Sequence, residues 1–243
     1  MSRTGAHPLV SDTAMVMAAG LGKRMRPLTA TMPKPMVRVA GKPLIDHALD
    51  RLAEAGVGKA VVNVHYLADA LEAHVCQRET PRVVISDERE ELLETGGGLV
   101  KAQSELPDPF FCLNADNIWL DGPKNAFAEL SAQWNPDEMD ALLLVVSHAR
   151  AENFAGSGDF YMDPLGRLSR CKPGRIAPFI YTGIQLVSHR LLRDAPSGPF
   201  STNILWNRAM EEGRVFGTSF TGLWFEVGTP QAIAPTEAAL GRG

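Results

Sequence analysis

A short apolar run, Ala14 to Ala19, leads directly into Gly20-Leu21-Gly22 and then into Lys23, Arg24 and Arg26. No other stretch of the chain restricts its fold as strongly. An uninterrupted apolar run of this length reads as a strand buried on both faces, the habit of parallel sheets. Two glycines just past its end let the backbone turn tightly with its amides facing an anion. Lys34, between Pro33 and Pro35, adds a fourth cation after a stiff stretch. Backbone donors for geometry and cations to offset charge are what a triphosphate needs. The spacing is not the dinucleotide fingerprint GxGxxG, because Met25 stands where the third glycine belongs, and it is not GxxxxGK[ST] either.

The rest of the first half alternates strand-like and helix-like segments. Lys42 to Ala55 carries Leu44, Ile45, Ala48, Leu49 and Leu52 at helical spacing, with Pro43 in the first turn and Gly56 as the stop. Ala60–Val64, Val83–Ser86, Phe110–Asn114 and Ala141–Ser147 read as strands, Leu67–Gln77 and Asn125–Trp134 as helices, and a further helix is expected after Gly98. This alternation specifies an α/β domain with a mixed, mainly parallel sheet flanked by helices. The second half turns antiparallel. Phe160–Met162 and Arg167–Arg170 flank a hairpin turn at Asp163-Pro164-Leu165-Gly166. Phe179–Val187 is another strand and Ser201–Glu212 a helix capped by Ser201, Thr221-Gly222 separates Phe216–Phe220 from Leu223–Val227, and a last helix starts near Pro230. We expect a loose leader over residues 1–13 and one domain over 14–243, its antiparallel part completing the site.

Composition narrows the function. A net charge of −4 argues against nucleic acid held by phosphate neutralisation. No run approaches the ~20 apolar residues of a membrane span. Cys76, Cys112 and Cys171 have no CxxC spacing, which argues against disulfides or zinc and for a reducing, cytoplasmic setting. Asp116 falls just past the C-terminal end of a strand, where open α/β sheets hold ligands. A carboxylate there suits Mg²⁺, which prefers oxygen donors and nucleotide phosphates; the alternative is a turn aspartate beside Asn117.

Gly20-Leu21-Gly22-Lys23-Arg24 with Pro27-Leu28-Thr29 and Pro33-Lys34-Pro35 resembles the signature of the sugar nucleotidyltransferase family. The resemblance continues through Leu93-Glu94-Thr95-Gly96-Gly97-Gly98, Asn114-Ala115-Asp116, Gly158-Asp159-Phe160, Tyr181-Thr182-Gly183-Ile184 and Trp224-Phe225-Glu226-Val227-Gly228-Thr229. It implies a Rossmann-like core with an antiparallel sugar-binding part, Mg²⁺ as cofactor, an NTP and a sugar 1-phosphate as partners, and attack of the sugar phosphate on the α-phosphorus. Arg24 and Lys34 match the family's catalytic cations. Ala18, Ala19, Gly20, Leu21, Gly22 and Lys23 match its phosphate loop, and Glu94, Thr95, Gly96 and Gly97 its base-recognition segment. Asn114, Asp159, Lys172 and Gly183 fall where the sugar phosphate is held, although Cys171 replaces the usual glutamate before Lys-Pro and leaves Lys172 equally readable as a loop lysine. Asp116 and Glu226 match the metal ligands, with glutamate at 226 where the family usually has aspartate. The extra methylene leaves direct or water-mediated contact open.

The loop sequence and Gly-Asp-Phe resemble most the branch that uridylylates N-acetylmuramate 1-phosphate in peptidoglycan recycling. The guanylyltransferases of mannose 1-phosphate and heptose 1-phosphate come next, so UTP and GTP both stand. A non-catalytic nucleotide-sugar sensor of the same fold is the alternative from another class, and the chain is expected as a monomer or homodimer.

Overall fold

Strand β1 (Thr13–Met17) shows why its sequence is apolar throughout. Ala14 and Val16 point to one face of the sheet and Met15 to the other, and all three are fully buried. The computed structural model describes residues 8–152 and 154–241. Residues 1–7 of the expected leader lie outside the described residues, and β1 begins at Thr13.

A tight turn region follows β1 and leads to the two-stranded pair β2 (Arg38–Val39) and β3 (Lys42–Pro43). Helix α1 (Leu44–Ala55) then buries Leu44, Ile45, Ala48, Leu49 and Leu52, and it ends at Gly56 with φ 92°. Each such leucine contributes about 1.5–3 kcal/mol by leaving water. The expected start at Lys42 is corrected: Lys42 and Pro43 are extended and form β3, so the helix begins two residues later, at Leu44. Next come β4 (Lys59–Val64), α2 (Ala68–Val75) and β5 (Arg82–Asp87).

Helix α3 spans Glu94–Ala102 and so contains Gly96, Gly97 and Gly98, which the sequence placed in a loop before the helix. Packing overrides their poor helix propensity. A Cβ at Gly96 would lie 2.2 Å from the Phe200 ring, at Gly97 2.6 Å from the Gly198 carbonyl oxygen, and at Gly98 2.8 Å from Glu88 Oε1. The run is the price of close contact with those neighbours.

The chain continues through β6 (Phe110–Asn114), β7 (Asn117–Leu120), α4 (Ala126–Gln133), β8 (Ala141–Ser147), β9 (Ala151–Glu152), β10 (Phe160–Met162), β11 (Leu168–Arg170) and β12 (Phe179–Val187). It finishes with α5 (Thr202–Glu211), β13 (Val215–Ser219), β14 (Leu223–Glu226) and α6 (Ile233–Leu240). Ser201 caps α5 as expected, accepting a hydrogen bond from the Asn203 amide at 3.3 Å.

The main sheet runs β11-β10-β12-β6-β1-β4-β5, with β8 on the other edge of β12 and β13 beyond it. Strands β6, β1, β4 and β5 are parallel, as are β8 and β13. Strand β12 is antiparallel to β6, β8 and β10. The hairpin expected at 163–166 joins β10 to β11. Helices α1, α2 and α4 pack on one face, α3 and α5 on the other.

A separate sheet, β7-β14-β9, stands over the C-terminal ends of β1 and β6. The two strands around Thr221-Gly222 therefore part company: β13 extends the main sheet and β14 the small one. A third core of Met25, Val37, Val39, Leu44, Ile118, Phe225 and Val227 ties the small sheet to the turn region after β1.

Candidate active site

The turn after β1 is shaped by burial at one position and freedom at its neighbours. Met25 is fully buried in the third core, which leaves Lys23, Arg24 and Arg26 exposed on either side of it. Gly22 has φ 60°, and a Cβ there would meet Lys34 Cβ at 2.9 Å and Thr29 Cγ2 at 3.0 Å. The Thr29 hydroxyl donates to the Gly22 carbonyl at 2.8 Å, which fixes the turn. Pro33 and Pro35 bracket a tight turn that presents Lys34.

Two cation–carboxylate pairs form across the ends of the strands. Lys34 Nζ donates to Asp116 Oδ2, just beyond β6, and the lysine side chain is 12% exposed. Arg24 Nη1 lies 3.6 Å from Glu226 Oε1, at the end of β14, with the arginine side chain 70% exposed. Gly228 allows this second pair: a Cβ there would come within 3.3 Å of both Arg24 Nη1 and Glu226 Oε1.

Beside these pairs lie two connected hollows. The larger, about 410 Å³, is lined by Ala18, Ala19, Gly20, Lys34, Glu94, Thr95 and others. The smaller, about 240 Å³, takes in Arg24, Asp159, Tyr181, Gly183, Trp224 and Glu226. Asn114 and Asp116 line both and mark the junction. Gly183, at φ 80°, has no room for a side chain, because a Cβ would overlap the amides of Asn117 and Asn114. The Asp159 carboxylate accepts the Tyr181 amide at 2.9 Å, which fixes it at the wall of the smaller hollow.

Of the residues singled out from the sequence, Ala18, Ala19, Gly20, Lys34, Glu94, Thr95, Asn114, Asp116, Arg24, Asp159, Gly183 and Glu226 are brought to these two hollows. Leu21, Gly22 and Lys23 shape the turn without lining either hollow, and Gly96 and Gly97 are buried against Phe200 and Gly198. Lys172 is exposed in the turn after β11 and lines neither hollow.

Asn63 went unread in the sequence. It sits inside β4, fully buried but for its contact with the larger hollow, accepts the Ala18 amide at 2.6 Å and donates to Glu88 at 2.8 Å. Glu88 in turn accepts the Leu93 amide at 3.2 Å, so one buried chain of hydrogen bonds joins the strand end at Ala18 to the entry of α3. An asparagine and a glutamate in otherwise apolar or solvated surroundings were the signal available.

Asp116 and Glu226 supply hard oxygen donors to one hollow. Among the described residues no group of three or more His, Cys, Asp or Glu is placed to hold a metal ion on its own. Two carboxylates with the remaining positions left to phosphate oxygens and water fit Mg²⁺, and they do not fit a structural zinc.

The family model described as nucleotidyl transferase matches residues 13–156. The N-acetylmuramate α-1-phosphate uridylyltransferase of Caulobacter vibrioides is 47% identical over 93% of this chain and 96% of its own length. The enzyme of the same name from Neisseria meningitidis serogroup B is 33% identical over 94% of this chain and 98% of its own. Among solved structures, a UDP-glucose pyrophosphorylase complexed with UDP-glucose superposes with a TM-score of 0.80 over 96% of this chain and 99% of that one. At 14% identity that likeness concerns the fold, which is the Rossmann-like arrangement expected from the sequence. A match across more than half of the residues and near-half identity along almost a whole relative lead to one conclusion: the chain belongs to the nucleotidyl transferase family.

Proposed function

We propose that this enzyme joins UTP to N-acetylmuramate 1-phosphate, giving UDP-N-acetylmuramate and pyrophosphate. The observation that carries the reading is the convergence of Lys34–Asp116 and Arg24–Glu226 on the junction between a larger and a smaller hollow. Such an arrangement gives two substrates of like charge a common meeting point. The Caulobacter and Neisseria relatives, by their names, act on N-acetylmuramate 1-phosphate, and this supports the choice of sugar.

In this reading the larger hollow receives the nucleotide, with its base beside Glu94 and Thr95 and its phosphates over Gly20 and Lys34. The sugar phosphate enters the smaller hollow, where Asp159 and the Asn114 amide face it. An oxygen of the sugar phosphate forms a bond to the α-phosphorus as the bond to the β-phosphate oxygen breaks, and the electron pair leaves with pyrophosphate. Lys34 and Arg24 offset the charge that collects on the reacting phosphates, and the cleft holds both reactants in line. For this kind of transfer, positioning and charge stabilisation do most of the catalysis. Asp116 and Glu226 would hold Mg²⁺, which supplies Lewis-acid neutralisation of phosphate oxygens when bound. A cytoplasmic setting fits this reading, and among the described residues no helix is long and apolar enough to cross a membrane.

Glu94 is exposed at the larger hollow and offers a carboxylate that guanine's N1–H and 2-amino group can pair with. Pyrophosphate release is therefore measured for four NTPs against the 1-phosphates of N-acetylmuramate, mannose, glucose and heptose. Highest kcat/KM with UTP and N-acetylmuramate 1-phosphate is expected. A tenfold preference for GTP, about 1.4 kcal/mol, would move the enzyme to the guanylyltransferases.

A further inference from the structure

A third hollow of about 220 Å³ adjoins the first two and is unlike either. It opens between β6, β12 and the start of α5, sharing Met17, Thr95, Asn114 and Ser201 with the nucleotide hollow and Asn114 and Tyr181 with the sugar-phosphate hollow. The other two each present carboxylates, but no acidic side chain lines this one.

Its polar lining has unused donors. The Thr95 hydroxyl accepts the Thr202 amide at 2.9 Å and the Ser201 hydroxyl accepts the Asn203 amide at 3.3 Å, so each still has its own hydrogen to give. The Tyr181 ring stands edge-on to Trp206 at 5.0 Å between centroids, and no described group accepts a hydrogen bond from its hydroxyl. Asn203 accepts Arg170 Nη2 through Oδ1 at 2.7 Å, which leaves its side-chain NH₂ as a donor.

Arg170 is the cation behind this wall. Its guanidinium lies over the Phe160 and Trp206 rings at 4.9 and 5.5 Å and is held by Asn207 at 2.9 Å as well as by Asn203. It makes no ion pair with any described carboxylate. Desolvation by burial pulls its pKa below the usual arginine value, with Asp159 acting in the opposite sense. A positive charge kept partly out of water, with Asp159 acting on it only from beyond ion-pair distance, beside a hollow of donors lined by no acid, is complementary to an anion.

We propose that this third hollow is a specificity subsite for a carboxylate substituent on the sugar, with Tyr181, Ser201 and Asn203 donating to it and Arg170 acting as a positioning residue through Asn203. This rests on the sugar-phosphate reading above and refines it. N-acetylmuramate differs from N-acetylglucosamine by an ether-linked lactyl group, and that group carries the carboxylate.

The test compares kcat/KM for N-acetylmuramate 1-phosphate with that for N-acetylglucosamine 1-phosphate, both with UTP and Mg²⁺, in the wild type, Arg170→Gln, Asn203→Ala and Tyr181→Phe. Circular dichroism and the thermal midpoint report that each variant is folded. The wild type should favour the acid, and the acid-to-neutral ratio should fall about tenfold to a hundredfold in Arg170→Gln and Asn203→Ala, as expected for lost hydrogen bonds to a charged group. Tyr181→Phe, which removes only the hydroxyl, should lower the same ratio. An acid-preferring wild type whose ratio survives all three substitutions would overturn the subsite and leave the sugar assignment intact. A wild type that uses neither sugar but turns over mannose or glucose 1-phosphate would overturn the sugar assignment and the subsite with it.

Discussion

The two cation–carboxylate pairs of the cleft differ in how much water reaches them. Lys34 is 12% exposed and sits directly on Asp116, held by a turn between two prolines. Arg24 is 70% exposed and only approaches Glu226, at 3.6 Å. A sheltered pair is weakly screened, whereas an exposed one is strongly screened and adds little to stability. On the proposed reading, Lys34 is positioned before substrate arrives, and Arg24 is free to leave Glu226 for an incoming phosphate. Charges of equal sign and similar place in the sequence do different work because their burial differs.

The largest effect should come from the sheltered pair. Asp116→Asn keeps the shape but removes the charge that holds Lys34 and would ligate Mg²⁺. A loss of about a thousandfold in kcat/KM is expected, with the Mg²⁺ requirement moved to much higher concentration, since a bound metal supplies several kcal/mol of charge stabilisation. An unchanged Mg²⁺ titration would reduce Asp116 to a turn residue. Arg24→Ala comes next: about a hundredfold, within the ~2–4 kcal/mol of one preorganised donor, falling on kcat more than on KM. If it fell on KM alone, Arg24 would be a binding group and the contrast between the pairs would be wrong.

At Glu226 the expected loss is smaller, about tenfold for Glu226→Gln and less for Glu226→Asp, which keeps the charge and loses only reach. Equal activity in all three proteins would remove the second carboxylate from any metal role. The smallest effect concerns the turn that carries Arg24. Gly22→Ala should cost about 1–2 kcal/mol of stability, because φ is positive and Lys34 and Thr29 occupy the space. Gly20 has nothing within 4 Å of a built Cβ. Gly20→Ala should therefore leave Tm nearly unchanged while raising KM for the nucleotide, and a matching drop in Tm for both would show that the turn is not shaped by these contacts.

The same contrast between local and distant determinants explains what could be read from the sequence. Strands β1, β4 and β6 are mostly apolar because each is buried on both faces, and that pattern is local. The small sheet is not local: β7 pairs with β14 about a hundred residues later, and no short-range pattern in Asn117–Leu120 announces it. Helix α3 was expected only after Gly98; its first residues, Glu94–Gly98, were hidden because three glycines weaken them intrinsically, while Phe200, Gly198 and Glu88, which require them, lie elsewhere in the chain. In the candidate site, the motifs singled out Arg24, Lys34, Asp116 and Glu226, which line the two hollows. Asn63 was not, since one asparagine in Lys59–Val64 reads as an ordinary strand residue until Ala18 and Glu88 are seen on either side of it. Lys172 shows the reverse, a residue in sequence register with a motif but set on the exposed turn after β11.

Direct transfer between two substrates held by fixed charges has a stereochemical consequence. UTP carrying a stereodefined sulfur at the α-phosphorus is turned over with N-acetylmuramate 1-phosphate, and the configuration of the product is read by ³¹P NMR. A single in-line displacement inverts the phosphorus, and inversion is the predicted result. Retention would require an intermediate bond between the protein and the nucleotide, and it would contradict a cleft that works by positioning and charge alone.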